Sequence, residues 1–256
     1  MKLTCLEAML GDVSIAERFA RAEAAGFDGV DLRGDGVAAV AGEVRALVER
    51  TGLEVPTIYG RLPAPLLAKT ASERAATVEV IRSRLRDAAA VGAGLLIVVP
   101  VFGPPRIELE HPETEELALL TVLLAELAED AAAQRVEIVL EPLNAKETHL
   151  LRSPAVGAHI SRRVGGPWVG TMLDTYHADR EGQDVAAEIT GAGDRLRLMH
   201  LSDRERTLPG EGGIGFAEVL AALDAHGYDG YFGFECNVPF DAERLRRSVA
   251  WVREQG

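Results

Sequence analysis

Residues 117–141 read LALLTVLLAELAEDAAAQRVEIVLE and contain one complete helix-to-strand repeat. Apolar residues recur there at steps of 3, 4, 3 and 4, the spacing of one buried stripe on an α-helix. The members of this stripe are Leu117, Leu120, Leu124, Leu127 and Ala131. A β-rich run, residues 136–141, follows after a short turn. The stretch therefore predicts an amphipathic helix joined directly to a buried strand.

The same alternation continues on both sides of this stretch without a linker or a low-complexity tract. Strands are predicted at residues 3–7, 29–33, 54–59, 95–100, 136–141, 169–174, 196–201 and 231–235. Helical patterns separate them, at 15–25, 37–50, 72–91, 155–164, 185–190 and 216–226, with a closing helix at 242–253. Eight such units favour a single closed (β/α)8 TIM barrel over residues 1–256, in the α/β class, rather than an open doubly wound sheet. No GxGxxG follows the first strand, which also disfavours a dinucleotide-binding fold.

Composition narrows the range of partners. The formal net charge is −13, which argues against nucleic-acid or anionic-membrane partners, because these need a basic face. Cys5 and Cys236 lie far apart and form neither a disulfide framework nor a zinc knuckle. No secretory signal and no membrane-spanning apolar window is found. We therefore expect a cytoplasmic protein with a small-molecule partner. The composition does not decide between a monomer and a homo-oligomer.

The last four predicted strands each end in an acidic residue or a histidine: Glu141, Asp174, His200 and Glu235. One such residue alone fits a helix cap or a solvated rim. In a (β/α)8 barrel, however, strand ends converge on one mouth, and three clustered carboxylates without a cation would repel one another. Three carboxylates and an imidazole suit a hard or borderline divalent ion. The sequence predicts one divalent metal ion, Mn²⁺ in the first place, with Mg²⁺, Co²⁺ or Zn²⁺ as alternatives.

Five short motifs surround these strand ends. They are LEPLN at 140–144, LDTYH at 173–177, HLSD at 200–203, PGEG at 209–212 and FEC at 234–236. With them the chain resembles the xylose-isomerase-like barrels of sugar and sugar-phosphate isomerases and epimerases. The spacing of the four strand-end residues is similar to that of the ketose 3-epimerase branch. The resemblance covers nearly the whole chain.

The resemblance implies that the four strand-end residues bind the metal and that Glu141 and Glu235 also move protons. It further implies that Glu147, His177 and Arg206 line the site and hold substrate oxygens. Read from the residues alone, these three also fit a loop glutamate, a helix-cap histidine and a solvated arginine.

Two further arginines are expected at the mouth of the barrel. Arg33 closes the second predicted strand, and Arg61 follows the third by two residues. They fit a phosphate or carboxylate site, or equally a rim charge paired with Asp31, Asp35 or Glu54.

The loop after the seventh strand departs from the family pattern. The family often continues PGEG with polar residues before an aromatic one, whereas this chain has Gly213, Ile214, Gly215 and Phe216. We expect a mobile edge of the site, with a substrate preference that no known branch fixes.

Isomerisation or epimerisation next to a metal-bound carbonyl is the leading hypothesis for a small sugar, sugar phosphate or hydroxy-ketone. A dehydratase of an inosose- or dehydroshikimate-like substrate is the enzyme alternative, because the same enolate can expel a hydroxyl. A sugar-binding barrel without turnover is the second alternative. Endonuclease IV, a further member of the group, is disfavoured, because a three-metal site needs more histidines than the 6 present here.

Overall fold

The computed structural model describes the backbone of residues 1–256 and the side chains of residues 1–111 and 114–256. The strands are β1 (Lys2–Leu6), β2 (Gly29–Arg33), β3 (Thr57–Tyr59), β4 (Leu95–Val98), β5 (Glu137–Leu140), β6 (Val169–Asp174), β7 (Leu196–Leu201) and β8 (Tyr231–Phe234). All pair in parallel with their neighbours in sequence, and β8 pairs with β1 to close the barrel. The predicted (β/α)8 barrel is confirmed.

Helices cover the outside of the barrel. They are α1 (Ile15–Ala25), α2 (Ala41–Thr51), α3 (Ala71–Val91), α4 (Pro112–Gln134), α5 (Pro154–Val164), α6 (Thr175–Glu181), α7 (Val185–Ala192), α8 (Phe216–Ala225) and α9 (Ala242–Gln255). The stripe predicted on α4 packs inward, with Leu120, Leu124 and Leu127 fully buried and Leu117 partly so. None of the helices, over the described residues, is long and apolar enough to cross a membrane.

Local chemistry explains where the elements differ from expectation. Strand β3 starts at Thr57 and not at residue 54, because Pro56 has no N–H for the ladder. The helical pattern of residues 37–50 begins as a 3₁₀ turn, Val37–Val40, before α2. Helix α6 was not predicted, because its seven residues are too few to display a helical period.

The barrel interior is packed and not open. Ile97, Val139, Met172 and Leu198 form an apolar cluster of their own inside it, and Tyr59 packs against that cluster. The functional groups at the carboxyl ends of the strands therefore stand on a rigid floor.

Candidate active site

The four residues at the ends of the last four strands converge. Glu141, Asp174, His200 and Glu235 each offer one ligand atom, and these atoms lie within 4.8 Å of one another. The first three residues are 3%, 2% and 1% exposed, while the side chain of Glu235 is 20% exposed. One edge of the cluster is thus open to the mouth.

Strand pairing sets these positions. Asp174 and His200 are direct partners in the β6–β7 register. The two glutamates come directly after their strands, but their backbones still form hydrogen bonds with the neighbouring strand. The Glu141 N–H donates to Val98 O at 3.1 Å, and the Glu235 N–H donates to Leu201 O at 3.2 Å. All four side chains therefore start from hydrogen-bonded backbone, which limits their freedom.

The two oxygens of Asp174 have separate partners. Oδ1 caps α6 by accepting the Tyr176 N–H at 2.8 Å. Oδ2 accepts from Arg206 Nη1 at 2.6 Å and lies 3.9 Å from His200 Nδ1. The cap thus orients the carboxylate so that Oδ2 faces the cluster.

The imidazole of His200 turns Nδ1 toward the cluster. This atom lies 3.3 Å from Glu235 Oε2 and 3.4 Å from the Tyr59 hydroxyl. Burial alone would lower the pKa of His200, but the hydrogen-bond contact with Glu235 and the charge of Glu235 outweigh it and raise the pKa to about 9. Without a metal, His200 is a cation at neutral pH.

The two glutamates have different surroundings. Burial, and then repulsion by Glu235, raises the pKa of Glu141 to about 8, and no described group donates a hydrogen bond to its carboxylate. Burial would also raise the pKa of Glu235, but the contact with His200 and the charge of Arg206 hold it well below its usual range. Tyr59 donates its phenol hydrogen to Glu235 Oε1. Glu141 is therefore mainly protonated at neutral pH and Glu235 is ionised.

The donor set fits a divalent cation. Glu235 Oε2 is buried and, among the described groups, receives no hydrogen bond of good geometry, although Arg206 Nη1 is 2.9 Å away. Three carboxylate side chains and one imidazole nitrogen surround the same point. Oxygen-rich ligand sets with one histidine suit Mn²⁺ and related ions.

A hydrogen-bonded chain joins the three predicted substrate residues to this cluster. The Asn144 N–H donates to His177 Nδ1 at 3.1 Å, and Arg206 Nη2 lies 2.9 Å from His177 Nε2. Asn144 Nδ2 in turn donates to Glu147 Oε1 at 2.7 Å. Burial lowers the pKa of His177, so its ring is neutral. The structure thus places Glu147, His177 and Arg206 in one network beside Asp174.

Comparison with known proteins agrees with this geometry. The model of the xylose isomerase-like TIM barrel family matches residues 19–255. The chain belongs to this family. A 3-dehydro-D-guloside 4-epimerase of Escherichia coli (strain K12) is 27% identical over 248 residues, which are 94% of each chain. An L-ribulose 3-epimerase of Mesorhizobium japonicum is 33% identical over 129 residues, 50% of this chain and 43% of that protein.

Solved structures of the family superpose over almost the whole barrel. The apo 3-keto-D-glucoside 4-epimerase of E. coli has a TM-score of 0.90 at 25% identity, covering 99% of both chains. A D-psicose 3-epimerase crystallised in the presence of D-fructose has a TM-score of 0.88 at 21% identity, also covering 99% of both, and supports the fold alone. The relatives found are sugar epimerases, and the chain carries a candidate metal site in the same family fold.

Sequence reasoning missed two residues of this xylose isomerase-like site. Tyr59 ends β3, bonds Glu235 and stacks on His200 with ring centroids 5.7 Å apart. Asn144 joins Glu147 to His177. Both carried a signal, because Tyr59 is itself the last residue of a strand and Asn144 closes the LEPLN motif.

The structure separates the two predicted mouth arginines. Arg33 lines a cavity of about 440 Å³ together with Glu7 and Arg18, and no described contact joins it to the metal cluster. Arg61 lines another cavity, of about 490 Å³, whose wall includes Tyr59. Its guanidinium is 3.7 Å from Asp35, and both side chains are about half exposed. Of these two arginines, only Arg61 therefore shares a cavity wall with Tyr59, which contacts the metal cluster.

The loop of residues 209–215, expected to be a mobile edge, is hydrogen-bonded at three of its residues. Asp203 is fully buried and accepts the N–H groups of Gly210 at 3.0 Å and Ile214 at 2.9 Å. Glu211 forms two hydrogen bonds with Arg244 of α9. The expectation rested on glycine content alone and could not include these anchors.

Proposed function

We propose that the chain is a divalent-metal-dependent epimerase or isomerase of a keto sugar, a sugar phosphate or a related hydroxy-ketone. One observation carries the proposal. Glu141 and Glu235 belong to one ligand cluster, stand on strands three apart, and have pKa values displaced in opposite directions. Pairs of carboxylates separated in this way are suited to act as acid and base.

Glu141, Asp174, His200 and Glu235 would hold the metal, for which we propose Mn²⁺. A divalent ion supplies Lewis-acid polarisation of a substrate carbonyl. With the metal bound both carboxylates are ionised; Glu235 accepts a proton from one face of the carbon next to that carbonyl, and Glu141 passes a proton taken up from solvent to the other face. The assignment reverses for the opposite epimer.

Three further residues would bind the sugar. Arg206 and His177 present N–H and ring nitrogen groups beside Asp174, and Glu147 stands at the outer end of their network. Such groups recognise hydroxyl and carbonyl oxygens by hydrogen bonds. We propose that they hold the substrate oxygens and do not ligate the metal.

The activities of the named relatives share one chemical step. A 3-dehydro sugar carries its ketone at carbon 3 and is epimerised at carbon 4. A ketose such as L-ribulose or D-psicose carries its ketone at carbon 2 and is epimerised at carbon 3. In both reactions the inverted carbon is next to a carbonyl. This common step supports proton transfer by two carboxylates in the present chain.

The cavity of about 490 Å³ beside Tyr59 offers room for the remote part of the substrate. Arg61 and Arg106 line it with Phe102, and none of its described lining residues is acidic. Guanidinium groups bind phosphate and carboxylate strongly. We therefore propose that Arg61 receives an anionic substituent of the substrate, while Arg33 has no part in it.

Incubation of the Mn²⁺-loaded protein in deuterium oxide tests the proposal. Ketoses, ketose phosphates, 3-dehydro-hexosides, inososes and hydroxypyruvate form the panel. Deuterium at the carbon next to the carbonyl together with an epimer or isomer supports the proposal. Loss of water would instead identify a dehydratase, and binding without exchange a non-catalytic sugar-binding barrel.

A further inference from the structure

Tyr59 connects the metal cluster with the adjoining cavity. Its hydroxyl donates to Glu235 Oε1 and lies 3.4 Å from His200 Nδ1. Its ring stacks on the His200 imidazole at an interplanar angle of 22°. The same residue lines the cavity that contains Arg61. A tyrosine so placed can affect one proton-transfer group directly.

The phenol distinguishes the two oxygens of Glu235. Oε1 is engaged by Tyr59, whereas Oε2 faces His200 Nδ1 at 3.3 Å and Arg206 Nη1 at 2.9 Å. A carboxylate without the phenol can rotate about its terminal torsion, which is broad. The hydrogen bond therefore fixes which oxygen points into the cluster.

Glu141 has no equivalent support. No described side chain or backbone group donates a hydrogen bond to its carboxylate. The support at the cluster is thus one-sided, and its loss should affect the two carboxylates unequally.

We propose that Tyr59 is a positioning residue for Glu235, and that it aligns this carboxylate for proton transfer on one face of the substrate only. The inference rests on the proposed function, because it assigns the two faces to Glu235 and Glu141. Removing the hydroxyl slows the proton transfers that Glu235 carries out and leaves those of Glu141 at the parent rate. The expected loss in the Glu235 transfers is roughly 10- to 100-fold, as for a hydrogen bond to a charged group.

Tyr59→Phe tests this inference, with Tyr231→Phe as the matched control. The Tyr231 hydroxyl also donates a hydrogen bond to a glutamate, Glu54. Tyr231 is, however, the first residue of β8 and therefore lies at the opposite end of the barrel. Both variants are loaded with Mn²⁺ and assayed in deuterium oxide from each epimer of one substrate. The ratio of solvent exchange to epimer conversion is measured in every case.

The ratio should shift in opposite directions from the two epimers in Tyr59→Phe. From the epimer that Glu141 deprotonates, exchange without conversion rises, because Glu235 completes the reaction slowly. From the epimer that Glu235 deprotonates, the ratio of exchange to conversion falls. Glu141 then completes the conversion quickly, before Glu235 can return a proton to the starting epimer. Tyr231→Phe should keep the parent ratios. Unchanged ratios from both epimers, or equal losses of exchange and conversion, overturn the inference.

Mn²⁺ affinity gives a readout that does not need turnover. Titration of the metal-free proteins should show roughly 10-fold weaker binding in Tyr59→Phe, as for partners that orient a ligand, and parent affinity in Tyr231→Phe. A parent protein silent with every sugar would be a failure of the proposed function. In that case weakened affinity supports the positioning of Glu235 by Tyr59, and unchanged affinity overturns it.

Discussion

Metal binding should release protons, because two of the four ligands are protonated in the metal-free protein at neutral pH. The pKa of His200 is raised to about 9 and that of Glu141 to about 8. A metal ion needs the neutral imidazole and the ionised carboxylate. At pH 7 we expect release of about one to two protons per ion, from His200 and from Glu141.

The sign and size of the pH dependence follow from this count. Protons compete with the metal below both pKa values, so affinity increases as the pH rises. Between pH 6 and 7 the association constant should increase by about 10- to 100-fold. Above the pKa of His200 the dependence should disappear.

Calorimetric titration with Mn²⁺ in two buffers of different ionisation enthalpy measures the proton count. Glu141→Gln is the matched variant, because it removes one titrating ligand and should release about one proton fewer, close to one at pH 7. Release of fewer than about half a proton by the parent, or equal affinity at pH 6 and 7, would refute the reasoning about His200 and Glu141.

Four substitutions test the metal ligands and the arginines of the site. Asp174→Ala and His200→Ala should each lose the metal after reconstitution, measured by elemental analysis, and full metal content in both would refute the ligand set. Arg206→Ala should keep its metal, because Arg206 is a neighbouring cation and not a ligand, but lose roughly 10- to 100-fold in kcat/KM; a metal-free variant would contradict this division. Arg61→Ala should lose roughly 10-fold in kcat/KM for a phosphorylated sugar and keep that for its neutral counterpart, so equal losses on both substrates would exclude Arg61 as the anion site.

The fold was predictable because the apolar spacing of helix and strand repeats is a local property. Strands β2, β6 and β7 begin and end where the pattern places them. The four strand-end residues were predictable for the related reason that barrel topology brings strand ends to one mouth. Helix α6 was too short for its period to be seen.

The finer properties of the site depend on contacts between distant residues. Tyr59 and Glu235 are 176 positions apart, and no spacing rule joins a phenol to a carboxylate at that distance. The opposite pKa shifts of Glu141 and Glu235 arise from burial and from the positions of His200 and Arg206 beside Glu235, which only the folded chain defines. Asp203 likewise holds the glycine-rich loop through backbone N–H groups that sequence does not reveal.

The central claim is that Glu141 and Glu235 carry the proton transfers. Glutamine has almost the shape of glutamate but cannot accept a proton from carbon, and general-base catalysis contributes about 10² to 10⁴ in rate. The most direct measurement is solvent exchange of the carbon-bound substrate proton by Glu141→Gln and Glu235→Gln at saturating, verified metal occupancy. We predict that each variant loses at least about 10² in epimer conversion and that exchange from the epimer it deprotonates is lost with it. Exchange at the parent rate by both fully loaded variants would contradict the two-carboxylate mechanism.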